Sequence, residues 1–235
     1  MHHNKTFHQQ KQIEVINEIE NQVKFGHLKF STVEPVKDFD NDRRICLTSV
    51  HFPSQKLLKQ VEKITKPFRN ISPNHYYYRP TSLHLTIKNI RVISNPPNFG
   101  DIEIKKAAKI FSQVIPKHKH FHAYFSHLLL FTSNLALIGT TDPELDEIHS
   151  ELDRKLKQIG IPDDKIYTNN KYFFCNMTLV RFNSKPSSKF LAKVAEINNS
   201  LAIEPYLIDS VTLIKANASL SYCQKIQTWK LKKTI

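Results

Sequence analysis

Glycine is scarce in this chain, 4 among 235 residues, and Gly26, Gly100, Gly139 and Gly160 lie far apart. They cannot build a loop that cradles a phosphate with successive backbone N–H groups, which sets aside nucleotide folds based on glycine-rich turns. Cysteine is equally sparse. Cys46, Cys175 and Cys223 are odd in number, distant in sequence and set in apolar or β-rich stretches, a pattern of reduced core thiols rather than a disulfide framework. No cysteine–histidine cluster has zinc-ligand spacing. His118, His120 and His122 alternate in a basic strand-like run that brings no carboxylate or cysteine, so no metal and no cofactor are expected. No run approaches the roughly 20 apolar residues that span a bilayer. The polar stretch from Met1 to Phe30 holds no apolar signal core. A cytoplasmic monomer with no membrane partner is the expectation.

Acid is the next shortage. Against 34 Lys and Arg stand 21 Asp and Glu, a formal charge of +13. After Asp209 there is no acidic residue, while Lys215, Lys225, Lys230, Lys232 and Lys233 follow. Such a chain attracts polyanions by counterion release, largely without reading sequence. A solvated basic surface has the same composition, so charge alone decides nothing. With 235 residues the chain can bury one sizeable core or two small lobes.

Residues 1–40 read as an N-terminal extension ahead of a domain over 41–235. Within the extension, Ile13, Ile16, Ile19 and Val23 are spaced for an amphipathic helix over Gln9 to Lys24. The charged stretch Thr32 to Arg44, with Pro35, reads as a linker. Beyond it, Ile45 to His51 is a short strand, and Pro53 opens a helix to about Lys66. Strands are predicted over Tyr76–Tyr78 and Leu83–Val92, and a helix over Asp101–Ile115. A strand pair follows, Phe121–Phe131 and Leu135–Gly139. Asp142 to Ile159 is the clearest helix: Asp142 can cap it, Pro143 begins it, and Leu145, Ile148, Leu152, Leu156 and Ile159 form its stripe before Gly160 ends it. A strand (Tyr172–Phe182), a helix (Pro186–Asn198) and two last strands (Tyr206–Lys215, Ser221–Lys232) complete the chain. Strands outnumber helices and come in hairpins, which points to α+β architecture with antiparallel sheet.

Two segments resemble each other. Ser82-Leu83-His84-Leu85-Thr86-Ile87 and Phe174-Cys175-Asn176-Met177-Thr178-Leu179 both follow aromatic runs, and both set a polar residue two before a threonine. On a strand, residues i and i+2 share a face. His84 with Thr86, and Asn176 with Thr178, therefore face one way, while Leu83, Leu85, Ile87, Cys175, Met177 and Leu179 enter the core. A lone His-x-Thr on a strand would be read as an ordinary half-exposed strand; the pair is what carries information.

The words Arg79-Pro80-Thr81-Ser82-Leu83-His84-Leu85-Thr86-Ile87 and Asn176-Met177-Thr178-Leu179-Val180-Arg181 resemble the two signature strands of the 2H phosphoesterase superfamily, in its RNA 2′,5′-ligase and 2′,3′-cyclic phosphodiesterase branch. The resemblance spans about Arg44 to Lys232. It implies a bilobal fold: two pseudo-symmetric lobes of antiparallel sheet, helices outside, and a central groove to which each lobe lends one motif. It also implies RNA ends or cyclic nucleotide phosphates as partners. In that family two histidines flank the phosphate, one taking a proton and one giving it, while the motif hydroxyls bind phosphate oxygens. Imidazole titrates near neutral pH and suits either role.

Here His84, Thr86 and Thr178 match that pattern, and Asn176 stands where the second histidine belongs. An amide can donate a hydrogen bond to phosphate but cannot carry a proton. Three outcomes stay open: a weakened enzyme using His84 alone, rescue by a histidine from elsewhere (His51 and His75 are the candidates), or a groove that binds RNA ends or nucleotides without chemistry. Arg181 matches an arginine of the second motif and is a candidate phosphate ligand, though strand parity sets it on the face opposite Thr178, where a structural salt bridge is the competing reading. Tyr78 is a candidate for stacking a base; packing within a sheet is its alternative.

Overall fold

The computed structural model describes residues 5–233. In chain order the elements are α1 (Phe7–Phe25), β1 (Ile45–His51), α2 (Gln55–Ile71), β2 (Tyr76–Tyr77), β3 (Leu85–Ser94), α3 (Asp101–Val114), β4 (Phe121–Leu130), β5 (Asn134–Thr141), α4 (Glu144–Gln158), β6 (Cys175–Arg181), α5 (Ser188–Ser200), β7 (Tyr206–Ile208), β8 (Ser210–Ala216) and β9 (Cys223–Lys230). The strands form two sheets, in the orders β3-β1-β8-β9 and β2-β6-β5-β4-β7. All pairings between these strands are antiparallel. The α+β expectation holds.

One core runs through both sheets. Leu47, Leu85, Ile90 and Leu213 from the first meet Leu135, Leu137, Met177 and Leu179 from the second, and Phe68, Phe111, Leu152 and Phe190 of the helices close it. The two motif strands, β3 and β6, approach each other where the sheets meet.

Three departures from the sequence reading have a clear physical reason. Helix α2 starts after Ser54, not at Pro53, and continues through Pro67 to Ile71. Proline in a helix interior costs about 3 kcal/mol. Its extra turn, however, buries Phe68 completely, and burying such a side chain returns about 1.5–3 kcal/mol. Asp142 does not cap α4; its carboxylate instead accepts from the His122 N–H (2.8 Å) and the Tyr124 hydroxyl (2.9 Å), tying β4 to the end of β5. The single strand expected over Tyr206–Lys215 breaks at Asp209, with β7 pairing to β4 in the second sheet and β8 to β1 in the first. That crossing joins the lobes covalently at a strand edge.

Helix α1 is capped by a reciprocal pair, the Thr6 hydroxyl accepting from the Gln9 N–H and the Gln9 side chain from the Thr6 N–H, and it ends at left-handed Gly26. Val15, Ile16 and Ile19 pack on Leu129, Ala136 and Ile138 of β4 and β5. Gln12 is buried and pairs twice with Thr141, its amide donating to the hydroxyl and its oxygen accepting from the backbone N–H, both at 2.8 Å. The stretch that reads as a linker is held against the lobes: Phe39 is buried, the Ser219 hydroxyl donates to its carbonyl (2.7 Å), and Asp40 accepts from Tyr76 (3.0 Å) and Arg79 (2.8 Å).

The His118 run also differs. Helix α4 brings Glu144 (2.7 Å) and Glu151 (3.1 Å) to the two ring nitrogens of His118, carboxylates that the local sequence does not supply.

Candidate active site

A cavity of about 290 Å³ lies between the sheets. His84, Thr86, Asn176, Thr178, Arg181 and Tyr78 all line it, so the six residues singled out in the sequence converge on one space. His51 and His75 do not. His51 is buried between the Ser210 carbonyl and the Tyr206 hydroxyl (both 2.9 Å), and His75 packs on Phe182 and Phe190. The expectation that one of them reaches the groove is not met.

The cross-strand register shows how β6 aims its side chains. Asn134, Ala136 and Ile138 alternate along one face of β5, and their partners on β6 are Arg181, Thr178 and Asn176. Directly paired residues share a face. Two residues of β6, Leu179 and Val180, span the step between Ala136 and Leu135, so Leu179 is an extra residue, a β-bulge. Its consequence is a parity change after Thr178 that returns Arg181 to the cavity face. The parity argument from sequence therefore fails at this residue, and no salt bridge holds Arg181 among the described residues.

The first lobe repeats the device. Val50 pairs with Thr86 and Ser49 with Lys88, which leaves Ile87 extra, again directly after the motif threonine. Three residues past Thr86, Asn89 then lines the cavity, as Arg181 does three residues past Thr178. The sequence reading missed Asn89; its signal was the equivalent position in the other motif.

Arg181 is 7% exposed and Tyr78 2%. The Arg181 Nε–H donates to the Tyr78 hydroxyl (2.9 Å), which donates onward to the Ala218 carbonyl (2.5 Å). The guanidinium lies 5.7 Å from the Phe39 ring centroid and 5.9 Å from that of Tyr78, within cation–π range. What Tyr78 gives the site is thus a hydroxyl that orients Arg181. The other guanidinium N–H groups have no acceptor among the described residues. A buried cation without a counter-ion costs several kcal/mol unless an anion joins it.

His84 donates through Nδ1 to the Ser82 carbonyl (2.8 Å), since a carbonyl can only accept. That fixes the neutral ring with its lone pair on Nε2. Burial holds the imidazole down to about 4 against the lift of that carbonyl, and the Arg181 charge adds to the lowering. At neutral pH His84 is a base. Thr86, Asn176 and Thr178 face the cavity with no side-chain partner among the described residues.

One histidine absent from the sequence reading does line the cavity. His149, four residues after Leu145 on the buried side of α4, stacks on Phe173 at 3.6 Å. Burial first, then the charges of Lys88 and Lys165, push it down to about 2, so its ring is uncharged near neutral pH. Cys46 also reaches the cavity, but burial pushes its thiol up to about 11, which keeps it un-ionised. Lys88 is buried and neutralised by Asp163 and by Asp153 at 3.3 Å.

No protein-family model matches the chain, and no curated protein matches its sequence. Solved structures do match, and they show the 2H phosphoesterase-like fold. Escherichia coli LigT in its 3′-AMP complex is 12% identical with a TM-score of 0.54, over 81% of this chain and 99% of LigT. TT0787 of Thermus thermophilus is 11% identical with a TM-score of 0.54, over 82% of this chain and all of its own (100%). ATU0111 of Agrobacterium tumefaciens, a protein of unknown function, is 11% identical with a TM-score of 0.60, covering 89% of this chain and 97% of that one. No helix among the described residues is long and apolar enough to cross a membrane.

Proposed function

We propose that this protein is a 2H phosphoesterase-like enzyme that opens 2′,3′-cyclic phosphates of RNA ends or nucleotides, weakened by Asn176 in place of the second histidine. The observation that carries this reading is Arg181, a buried cation without a counter-ion, sharing one cavity with His84, Thr86, Asn176 and Thr178. Phosphate is the anion that such a set suits: guanidinium, two hydroxyls and an amide all donate to its oxygens.

In the proposed step, water attacks phosphorus while His84 Nε2 takes its proton. The P–O bond of the ring breaks, and the ribose alkoxide takes a proton from solvent. His84 then returns its proton to solvent. Asn176 donates to a phosphate oxygen and supplies no proton to the leaving group, so the reaction loses the assistance of a positioned acid, typically worth 10²–10⁴ in rate. The basic surface favours RNA as the source of the phosphate.

The test is hydrolysis of adenosine 2′,3′-cyclic phosphate by wild type and His84→Ala. Slow turnover by wild type and none by the variant is expected; equal inertness of the two would remove the enzyme reading. Asn176 itself favours a second reading, a module that binds nucleotides without cutting them. In that case binding persists in His84→Ala and weakens in Thr178→Val.

A further inference from the structure

The cavity has a second cationic end, remote in sequence from both motifs. Lys165, in the loop between α4 and β6, lines it and has no ion pair among the described residues. Both carboxylates that precede it in sequence are engaged elsewhere: Asp164 accepts from the Val92 N–H (2.6 Å) and the Asn98 amide (2.9 Å), while one Asp163 oxygen accepts from the Lys165 backbone N–H (2.8 Å) and the other is shared by Lys88 and the Tyr167 hydroxyl (2.7 Å). Two more polar atoms on the same lining are buried without a hydrogen-bond partner, Thr168 Oγ1 and His149 Nε2. Burial lowers the affinity of Lys165 for its proton, and the nearby Asp163 charge only partly opposes this.

The loop is fixed in place. Ser31, on the segment before β1, donates its backbone N–H to the Ile166 carbonyl (3.0 Å), and its hydroxyl accepts from the Ile166 N–H (2.9 Å). Phe30, Thr32 and Val33 beside this clip line the cavity as well. The N-terminal segment thereby builds a wall of the site and holds the loop that carries Lys165.

We propose that Lys165 and Thr168 form a second anion subsite, and that the ligand is a nucleotide bearing a 5′-phosphate in addition to the 2′- or 3′-phosphate held by Arg181. This rests on the phosphate reading of the Arg181 site. On a nucleotide whose reacting phosphate is at the 2′ or 3′ oxygen, the other phosphorylated position is the 5′ oxygen, and it has two sources: a terminal monoester, or the linkage to the preceding nucleotide of an RNA.

Calorimetric titration with adenosine 3′-monophosphate, adenosine 3′,5′-bisphosphate and a 3′-phosphorylated diadenosine nucleotide tests this at constant salt. The bisphosphate is expected to bind about tenfold more tightly than the monophosphate, the worth of one charge-assisted contact. Lys165→Met should erase that difference and leave the monophosphate unchanged, Lys165→Arg should retain it, and Thr178→Val should weaken all three ligands. A dinucleotide that binds like the bisphosphate identifies an RNA linkage as the 5′ group; one that binds like the monophosphate identifies a terminal monoester. Equal affinity of mono- and bisphosphate for wild type, or an equal loss for both in Lys165→Met, overturns the subsite and leaves the Arg181 reading standing. No binding of any ligand overturns both. The wild-type comparison needs no variant to fold.

Discussion

β3 and β6 share a backbone device and differ in chemistry. Each carries a polar residue, a threonine two places on, one extra residue directly after that threonine, and a polar residue returned to the cavity by the bulge. In the first lobe these side chains are His84, the residue just before β3, with Thr86 and Asn89 on the strand; in β6 they are Asn176, Thr178 and Arg181. The first lobe thus holds the group that can move a proton, and the second holds the permanent charge. Arg181 also lowers the proton affinity of His84, so the two lobes are coupled electrostatically across the cavity. Under the proposed function, a shared scaffold with divided duties would let the groove bind phosphate while lacking a second proton carrier.

The comparison is sharpened most by making the strands alike. Asn176→His should raise the rate of cyclic phosphate opening by about 10²- to 10⁴-fold, the usual return of one positioned acid or base. Steady-state kinetics on adenosine 2′,3′-cyclic phosphate reads this, and an unchanged rate means the lobes have diverged beyond that one side chain. Removing the charge is the next effect in size. Arg181→Met should weaken binding of adenosine 3′-monophosphate about 10- to 100-fold, since hydrogen bonds to charged groups are each worth about 1.5–3 kcal/mol. Retained affinity would deny that the buried guanidinium is an anion site. Smallest are the hydroxyls: Thr86→Val and Thr178→Val should each cost roughly fivefold in the same titration, about 1 kcal/mol apiece. Loss in only one of them would show that a single lobe holds the phosphate.

Much of this site was legible from residue spacing. A period of two placed His84 with Thr86 and Asn176 with Thr178, because between these pairs the strands are regular. The facing of Arg181 was not legible, since an extra residue in a strand leaves no mark in one sequence and reverses parity for all that follows. Asn89 was hidden for the same reason. His149 and Lys165 escaped because a helix and a loop bring them in through tertiary packing, and nothing local distinguishes them from any buried histidine or surface lysine. Two boundaries misled for opposite reasons. The helix expected to end at about Lys66 runs on through Pro67, carried by the burial of Phe68, and Asp209, inside the strand expected over Tyr206–Lys215, is where the chain passes from one sheet to the other.

The division of duties is tested most directly by the pH dependence of kcat/KM for the cyclic phosphate, which reports the free enzyme's essential groups. With His84 held down to about 4, its protonation removes the base only in acid. The wild-type profile should therefore rise through about pH 4 and stay level above it, because Asn176 has no proton to lose. Asn176→His should add a falling limb on the alkaline side. A wild-type profile that already falls on both sides would mean that a second proton carrier is at work in the cavity, and would contradict the assignment of one base and one fixed charge.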